Sequence, residues 1–286
     1  LDLHGTERHK QLILPRLISG EWTGTMNLTE PQAGTDLAAL TTRAEPDGEG
    51  GYRLYGQKIF ITWGDHDAAD NICHLVLARL PDAPPGVKGI SLFLATKRLV
   101  NDDGSLAELV GELNQGLAHM FVMMNAARLQ VGVEGVGIAE RAYQQALAYA
   151  QDRRQGRSAW TGEAAAPIID HPDIRRSLAL MKARIEAARG ICLMTGDLAD
   201  QARLAKDEAT STGALARQEL LTPIAKAWST DMGVEVASMG VQIHGGMGFI
   251  EETGAAQHYR DARIGPIYEG ANGVQAMDLA GRKLSM

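Results

Sequence analysis

One stretch of the sequence, residues 173–204, constrains the fold more than any other. Its small and apolar residues recur at alternating intervals of four and three positions. This spacing gathers them on one side of an α-helix and is typical of a helix packed antiparallel in a bundle. The residues on this seam are Ile174, Leu178, Met181, Ile185, Ala188, Cys192, Thr195 and Ala199. We expect the thiol of Cys192 to be packed in the core rather than reactive.

Two further stretches carry helical patterns. Residues 115–153 form the first, and Gly132, Gly135 and Gly137 within it would let a neighbouring helix approach closely. The second has apolar residues at similar spacing, namely Leu221, Ala225, Trp228, Met232, Val236 and Met239. Near the beginning, residues 9–17 are predicted to form a helix that Pro15 interrupts.

Residues 21–98 have a different pattern, with short β-type runs separated by turns rich in Gly, Pro and Asp. The runs are 52–55, 58–62, 74–78 and 90–94. The predicted fold class is therefore α+β: a small β-barrel-like or β-sandwich-like domain followed by an antiparallel four-helix-bundle domain. The predicted boundaries are 1–20 for the remnant of a preceding helical domain, 21–113 for the β-domain and 114–286 for the helical domain.

The composition and the motifs that the chain does not contain exclude several classes of function. The 286 residues carry a formal charge of −7 without a basic run, so we expect no nucleic-acid partner. No uncharged apolar stretch reaches the ~18 residues of a membrane span, and the beginning does not read as a signal peptide. The two cysteines form no CxxC pair, and the eight histidines form no HxH or HxxxH pair. These features predict a cytoplasmic protein without a metal site, and no nucleotide-binding or hydrolase motif is present.

Three segments have the composition of a ligand-binding site. Residues 26–36 combine hydroxyls with backbone amides near a glycine, and residues 242–248 place several glycines after a long helix. Residues 259–275 contain one carboxylate, Glu269, among Ile, Tyr and Gly residues. An apolar setting raises a carboxyl pKa, although a helix N-terminus opposes this, and such a group suits the removal of a weakly acidic C–H proton. Each segment also has a plain structural interpretation: a Pro/Gly loop, a helix C-cap and a solvated turn, respectively.

Five motifs, in order along the chain, resemble those of the acyl-CoA dehydrogenase family. LTEPQAGTD at 28–36 is similar to the flavin loop LTEP-x-A-G-[ST]-D, and KIFIT at 58–62 is similar to the strand K-x-[WF]-I-[TS]. YAQDRRQ at 149–155 resembles a helix end, YA-x-x-R-x-Q, and QIHGGMG at 242–248 resembles Q-x-x-GG-x-G. IYEG at 267–270 matches the catalytic I-Y-E-G. Local sequence such as GDHDAADNICHLVLARLP resembles that of the subgroup that contains 3-(methylthio)propanoyl-CoA and some long-chain acyl-CoA dehydrogenases.

The resemblance implies FAD as the cofactor and an acyl-CoA thioester as the substrate. It implies that Glu269 removes the α-proton while the β-hydride passes to flavin N5, which needs the base and the flavin on opposite faces of the acyl chain. The Glu269 N–H would help to polarise the thioester carbonyl. Electrons would leave to an electron-transfer flavoprotein, and the chain would form a homodimer or homotetramer.

The remaining site residues also come from the resemblance. The isoalloxazine ring would be held by Leu28, Thr29, Gly34, Thr35, Phe60 and Thr62. The ADP half of FAD would be bound across a subunit interface by Arg153, Gln242, Gly245, Gly246 and Gln275. Substrate contacts are implied for Asn125, Arg128 and Gly270. Arg260, Asp261 and Arg263 are expected to form an ion-pair network that supports the Glu269 loop.

The sequence also departs from the family pattern. The helical domain that usually comes first is represented by only a short remnant, and the stretch 97–113 is shorter than usual. Gly156 stands where Phe is common, Pro172 where Gln is common, and Ala271 where Thr or Ser usually meets the flavin. These departures leave two other functions open: a non-catalytic remnant that acts as a helical oligomerisation module, and an acyl-CoA oxidase.

Overall fold

The computed structural model of the protein describes residues 1–48, 50–98, 100 and 107–284. Residues 101–106, within the stretch that is expected to be shortened, lie outside the described residues. The chain divides into two compact units, Leu1–Met123 and Met124–Met286.

The first unit contains a mixed sheet in which a long, apolar strand is central. Six strands are described: β1 Trp22–Asn27, β2 Arg43–Pro46, β3 Tyr52–Tyr55, β4 Asn71–Arg79, β5 Ile90–Thr96 and β6 Ala107–Leu109. Their order is β3-β2-β4-β5-β6, and β1 also pairs with β4. Strand β4 runs parallel to β1 and antiparallel to β5, and Ile72, Leu77 and Phe93 on β4 and β5 are fully buried. The buried near-continuous apolar runs therefore form the middle of the sheet, as their pattern predicts.

Two local predictions in this unit are wrong. Residues 58–62, predicted as a strand, have irregular backbone, since Phe60 adopts a positive φ of 57° that cannot continue an extended strand. Pro15 does not interrupt a helix either: a π-helical turn, His9–Ile13, leads into α1, Leu14–Ser19, whose first turn contains the proline. The proline lies where the π-helical turn passes into α1, and the backbone is helical on both sides of it.

The second unit is built on long helices. Helix α2, Gly116–Asp152, begins in the first unit, and the helices that follow are α3 Pro172–Leu204, α4 Glu208–His244, α5 Gly246–Phe249, α6 Ala255–Ala262 and α7 Asn272–Asp278. A sheet domain followed by a helical domain confirms the predicted α+β class. Among the described residues, no helix is both long enough and apolar enough to cross a membrane.

The seam on α3 packs as its spacing predicts. Leu178, Met181, Ile185, Ala188, Cys192 and Thr195 are buried, whereas Ile174 and Ala199 at the two ends are half-buried. The facing residues on α4 include Ala225, Met232 and Val236. Cys192 is buried, 3.5 Å from the Ser229 hydroxyl, and burial raises the pKa of its thiol, which agrees with a packing role.

Two glycines on α2 are required by the closeness of α4. A Cβ atom at Gly132 would lie 2.8 Å from the Ala225 carbonyl oxygen, and one at Gly135 would lie 2.7 Å from the Ser229 carbonyl oxygen. Gly137, on the same helix, is exposed and has no such neighbour within 4 Å. Of the three glycines that the sequence groups together, two are therefore required by helix packing and the third is not.

These positions make a matched set of substitutions. We expect Gly132→Ala and Gly135→Ala each to lower the free energy of unfolding by about 1–3 kcal/mol, because the new methyl group meets backbone that cannot yield easily. Gly137→Ala should raise it by about 0.5–1 kcal/mol, since alanine favours the helix. Thermal unfolding, followed by circular dichroism, ranks the three variants by stability. Equal unfolding midpoints for all three would contradict the packing described.

Candidate active site

Glu269 lies at the tip of a tight loop between α6 and α7. Glu269 and Gly270 both adopt left-handed backbone conformations, with φ of 52° and 84°. The loop is closed by the Asn272 N–H, which donates to the Pro266 carbonyl at 3.0 Å. A left-handed conformation costs a non-glycine residue roughly 1–2 kcal/mol and is maintained only where the surroundings impose it, often at functional sites.

The Glu269 carboxyl group is electrostatically suited to act as a base. Burial raises its pKa above the ordinary value of 4.5, while the positive charges of Arg128 and Lys226 oppose that rise. A half-buried carboxylate with a raised pKa accepts a proton more readily than a solvated one, yet the two cations keep its ionised form accessible. Glu269, the one acid predicted from the sequence as a base, thus has an environment suited to proton abstraction.

Two of the predicted substrate-binding residues lie beside this loop. The buried Arg128 guanidinium is 3.4 Å from the Asn125 amide oxygen and 3.7 Å from the Asp278 carboxylate. A Cβ atom at Gly270 would lie 3.5 Å from the Arg128 Nη2 atom and only 2.5 Å from the Gln275 side-chain nitrogen. Close neighbours and a positive φ both require glycine at position 270.

Gln275 belongs to the same cluster. Its side chain is buried, and its amide nitrogen donates to the Gly270 carbonyl at 3.1 Å. Its amide oxygen is buried without a hydrogen-bond partner among the described residues. The structure therefore brings Asn125, Arg128, Glu269, Gly270 and Gln275 together in the second unit.

Sequence reasoning missed two residues that hold the loop. Lys226, on α4, is fully buried, and its ammonium donates to the Gly270 carbonyl and to the Asn272 side-chain oxygen, both at 2.9 Å. Asn272 in turn donates to the Ala227 carbonyl and the Asp231 carboxylate. The available signal was weak: a single lysine between two alanines in an otherwise apolar stretch of helix.

The expected support of the loop by Arg260, Asp261 and Arg263 is wrong for the first two residues. Arg260 makes two hydrogen bonds to the Glu251 carboxylate, at 2.9 and 2.6 Å, and Asp261 accepts from Gln257. These contacts stabilise α6 and the turn before it. The loop is anchored to α4 instead, because Lys226 and Asn272 reach it directly.

In the first unit, a buried ion pair joins the two segments that carry the predicted cofactor residues. The Glu30 carboxylate accepts hydrogen bonds from the Thr41 and Thr42 backbone N–H groups and hydroxyls, at 2.5–3.0 Å. The Lys58 ammonium lies 2.8 Å from Glu30 and also donates to the Leu28 carbonyl at 3.0 Å. The Ile59 N–H also donates to the Thr29 carbonyl at 2.9 Å. The ion pair and this backbone hydrogen bond together join the 28–36 loop to residues 58–62.

The surface of this joined loop pair is open. The Phe60 ring is 89% exposed, which is unusual for a large aromatic side chain. Thr35 and Thr62 are exposed, and Gly34 has no heavy atom within 4 Å of the place where a Cβ would stand. Leu28 and Thr29 lie on the 28–36 loop. An exposed aromatic ring, exposed threonines and an open glycine on two joined segments fit a planar polar heterocycle.

The remaining predicted cofactor residues line an exposed turn and a helix end in the second unit. Gln242, Gly245 and Gly246 are exposed at the end of α4, where Gly245 takes a φ of 61° and both glycines have open space around them. His244, which lies between Gln242 and Gly245 in sequence, is buried and stacks on Tyr149 with ring centroids 4.4 Å apart. Arg153, just beyond α2, is exposed. The open backbone and the exposed guanidinium, which also lies 3.5 Å from the Gln155 side-chain oxygen, fit an anionic phosphate group.

Comparison with known proteins agrees with these features. The sequence matches the acyl-CoA dehydrogenase C-terminal domain over residues 114–284 and the acyl-CoA dehydrogenase middle domain over residues 25–108. It is 49% identical to the 3-methylmercaptopropionyl-CoA dehydrogenase of Ruegeria pomeroyi, over 99% of this chain and 54% of that protein. This chain therefore spans about half the length of that curated relative. The alignment covers 316 residues, more than the 286 of the chain, so the relative has residues in that span without a counterpart here.

Two solved structures show the same fold. The butyryl-CoA dehydrogenase of Megasphaera elsdenii superimposes with a TM-score of 0.79 at 31% identity, over 99% of this chain and 73% of that one. An acyl-CoA dehydrogenase of Bacillus anthracis, solved in complex with FAD, gives 0.82 at 27% identity, over 99% and 52%. On its motifs, its fold and these matches, the chain belongs to the acyl-CoA dehydrogenase family.

Proposed function

We propose that the protein catalyses the FAD-dependent α,β-dehydrogenation of an acyl-CoA thioester. The observation that carries this proposal is the environment of Glu269: a strained, half-buried loop carboxylate with a raised pKa, next to two buried cations. In this reaction the Glu269 carboxylate takes the α-proton of the acyl chain. FAD, when bound, supplies the acceptor for the β-hydride, so that the substrate leaves with a new C=C bond.

The chain's own residues prepare the thioester for proton loss. The Glu269 N–H would donate to the thioester carbonyl oxygen, which makes the α-proton more acidic. Asn125, Arg128 and Gly270 would contact the CoA-bearing acyl group. The packing of Arg128 against Gly270 supports this role, because it keeps a positive charge near the developing enolate.

The cofactor would be held in two places. Leu28, Thr29, Gly34, Thr35, Phe60 and Thr62 would hold the isoalloxazine ring, and the exposure of Phe60 supports this assignment. Arg153, Gln242, Gly245 and Gly246 would bind the ADP half. The resemblance assigns Gln275 to the same half, but its buried side chain is bonded to the Gly270 carbonyl, so we propose for it only support of the Glu269 loop. Assembly as a homodimer or homotetramer, a cytoplasmic location and electron transfer to an electron-transfer flavoprotein belong to the same proposal.

An anaerobic titration of the FAD-loaded chain tests the proposed function. We expect acyl-CoA thioesters, such as 3-methylthiopropanoyl-CoA, butyryl-CoA and a long-chain homologue, to bleach the visible absorbance of the flavin. A protein that binds FAD and is not bleached by any member of the panel would instead be the non-catalytic oligomerisation module. When air is then admitted to the reduced protein, rapid reoxidation with release of peroxide would favour an acyl-CoA oxidase over a dehydrogenase.

A further inference from the structure

We propose that Lys226 is a positioning residue for Glu269: from α4, its ammonium holds the Gly270 carbonyl and the Asn272 side chain and so fixes the loop that presents the carboxylate. This inference rests on the proposed function and deepens it by naming the group that orients the base. It concerns a buried, charged residue to which neither the sequence motifs nor the proposed cofactor contacts give a role.

The placement of Lys226 is unusual for a lysine. Its side chain is completely buried, on a helix whose neighbouring residue Ala225 packs in the core against α3. A buried ammonium is costly unless it is hydrogen-bonded and compensated by charge. Both of its hydrogen bonds go to the Glu269 loop and to the first residue of α7, at 2.9 Å each. The loop is therefore the partner that makes the buried charge tolerable.

Asn272 extends this attachment along α4. Its side-chain nitrogen, with two hydrogens to donate, lies within hydrogen-bond distance of three acceptors: the Ala227 carbonyl at 3.0 Å, the Thr230 hydroxyl at 3.0 Å and the Asp231 carboxylate at 2.8 Å. Its side-chain oxygen accepts from Lys226. The residue that closes the loop is thus bonded to more than one turn of a rigid helix.

The Gly270 carbonyl connects this attachment to the base itself. It accepts hydrogen bonds from Lys226 at 2.9 Å and from the buried Gln275 amide at 3.1 Å. Since Glu269 and Gly270 are both left-handed, the direction of this carbonyl depends on an uncommon backbone conformation. If one of the two donors to this carbonyl is removed, the backbone of Glu269 and Gly270 should relax, and the Glu269 carboxylate should change direction.

Lys226 also acts on the charge of Glu269. The charged groups that face Lys226 are Asp231 on its own helix, Arg128 on α2 and Glu269 on the loop. Burial lowers the pKa of Lys226 to about 8, so it is largely protonated at neutral pH. Its positive charge lowers the pKa of Glu269, against the effect of burial. Without this charge, Glu269 should be protonated at a higher pH and lose its function as a base there.

Substitution of Lys226 by Met tests the inference, because Met keeps the length and apolar packing of the side chain and removes the donor and the charge. In Lys226→Met, the rate of flavin reduction by acyl-CoA should fall at least about 10-fold with FAD still bound. The acid limb of its pH profile should move upward by roughly half a pH unit or more. Amide hydrogen exchange of residues 266–275 should become at least about 10-fold faster.

Two other variants complete the experiment. Lys182→Met, which removes a partly exposed lysine paired with Glu186 on α3, should leave the rate, the pH limb and the loop exchange unchanged. Lys226→Gln retains a donor without the charge, so it should recover part of the exchange protection and keep the shifted pH limb. If circular dichroism shows that the Met variant does not fold, the Gln variant is used to test the inference instead.

The outcomes separate this inference from the proposed function. Wild-type rate and pH limb in the Lys226 variants would overturn the inference, even if loop exchange increased, because Lys226 would then be only structural. Unchanged loop exchange would overturn it as well. If the wild-type chain binds FAD and is not bleached by acyl-CoA, the proposed function fails, and with it the role of Lys226 toward a base.

Discussion

Replacing Glu269 by Gln is expected to abolish flavin reduction by acyl-CoA while leaving FAD bound. The amide has nearly the same shape as the carboxyl group and can occupy the same left-handed position, so the loop should keep its conformation. An amide cannot take up the α-proton, and loss of a general base typically slows a reaction about 10²- to 10⁴-fold. Stopped-flow measurement of flavin bleaching under anaerobic conditions gives the rate, and the flavin absorbance before mixing gives the occupancy.

Two other acids serve as controls in this experiment. Glu134, on α2, accepts a hydrogen bond from the hydroxyl of Tyr268, the residue next to Glu269 in the loop. Glu252 is exposed in the turn before α6. We expect Glu252→Gln to behave as wild type and Glu134→Gln to lose less than about 10-fold in rate. Retained turnover in Glu269→Gln, with loss in Glu134→Gln, would move the base to α2.

The same base determines how the reaction depends on pH. Burial raises the pKa of Glu269, so the rate should begin to fall, as pH decreases, above the ordinary glutamate value of 4.5. This follows because only the ionised carboxylate accepts the proton. An acid limb at or below the ordinary value would show that Arg128 and Lys226 outweigh the effect of burial.

The architecture could be predicted from the sequence where one local pattern determines what a segment buries. The seam on α3 does so, because its spacing repeats for nearly the whole helix and the facing helix buries it. Residues 58–62 also have a clear local pattern, that of a β-strand, but they do not form a strand. Lys58 is drawn to Glu30, 28 residues earlier, and Phe60 turns into a left-handed conformation. No local pattern contains that tertiary contact.

The residues of the candidate site could be predicted in part. Glu269 and its neighbours follow from motifs, because their residue types are fixed by chemistry and by backbone conformation, as Gly270 illustrates. Lys226 does not follow, since a buried lysine looks in sequence like any exposed lysine on a helix. Its partners are 44 and 46 residues further along the chain. Arg260 shows the converse: proximity in sequence to the loop suggested a role that its bonds to Glu251 do not support.

The second large effect is expected at Glu30, whose carboxylate organises the two loops proposed to hold the flavin ring. Glu30→Gln places an NH₂ group among donors: the Thr41 and Thr42 N–H groups, the Lys58 ammonium and two hydroxyls already point at this position. A buried ammonium without its carboxylate and unmatched buried donors typically cost about 3–5 kcal/mol. We therefore expect the sheet unit to lose this much stability and FAD affinity to fall with it.

A surface pair provides the matched control. Glu45 is 2.7 Å from Arg43, and both side chains are about half exposed, so Glu45→Gln should cost at most about 1 kcal/mol. Because the two units need not unfold together, native-state hydrogen exchange of peptides from β2 to β4 measures the effect better than a single melting temperature. Equal protection in the Glu30 and Glu45 variants would show that the buried pair does not stabilise these loops.

The pH dependence provides a further check of the same interaction. Hydrogen bonds from Lys58, Thr42 and Thr41 outweigh burial and hold the pKa of Glu30 well below its ordinary value of 4.5. A carboxylate with a lowered pKa in the folded state contributes stability that is fully present above the unfolded value and is lost as pH falls below it. The stability difference between wild type and Glu30→Gln should therefore be constant near neutral pH and decrease below about pH 4.5. A difference that persists unchanged into acid would mean that the charge of Glu30 is not what joins the two loops.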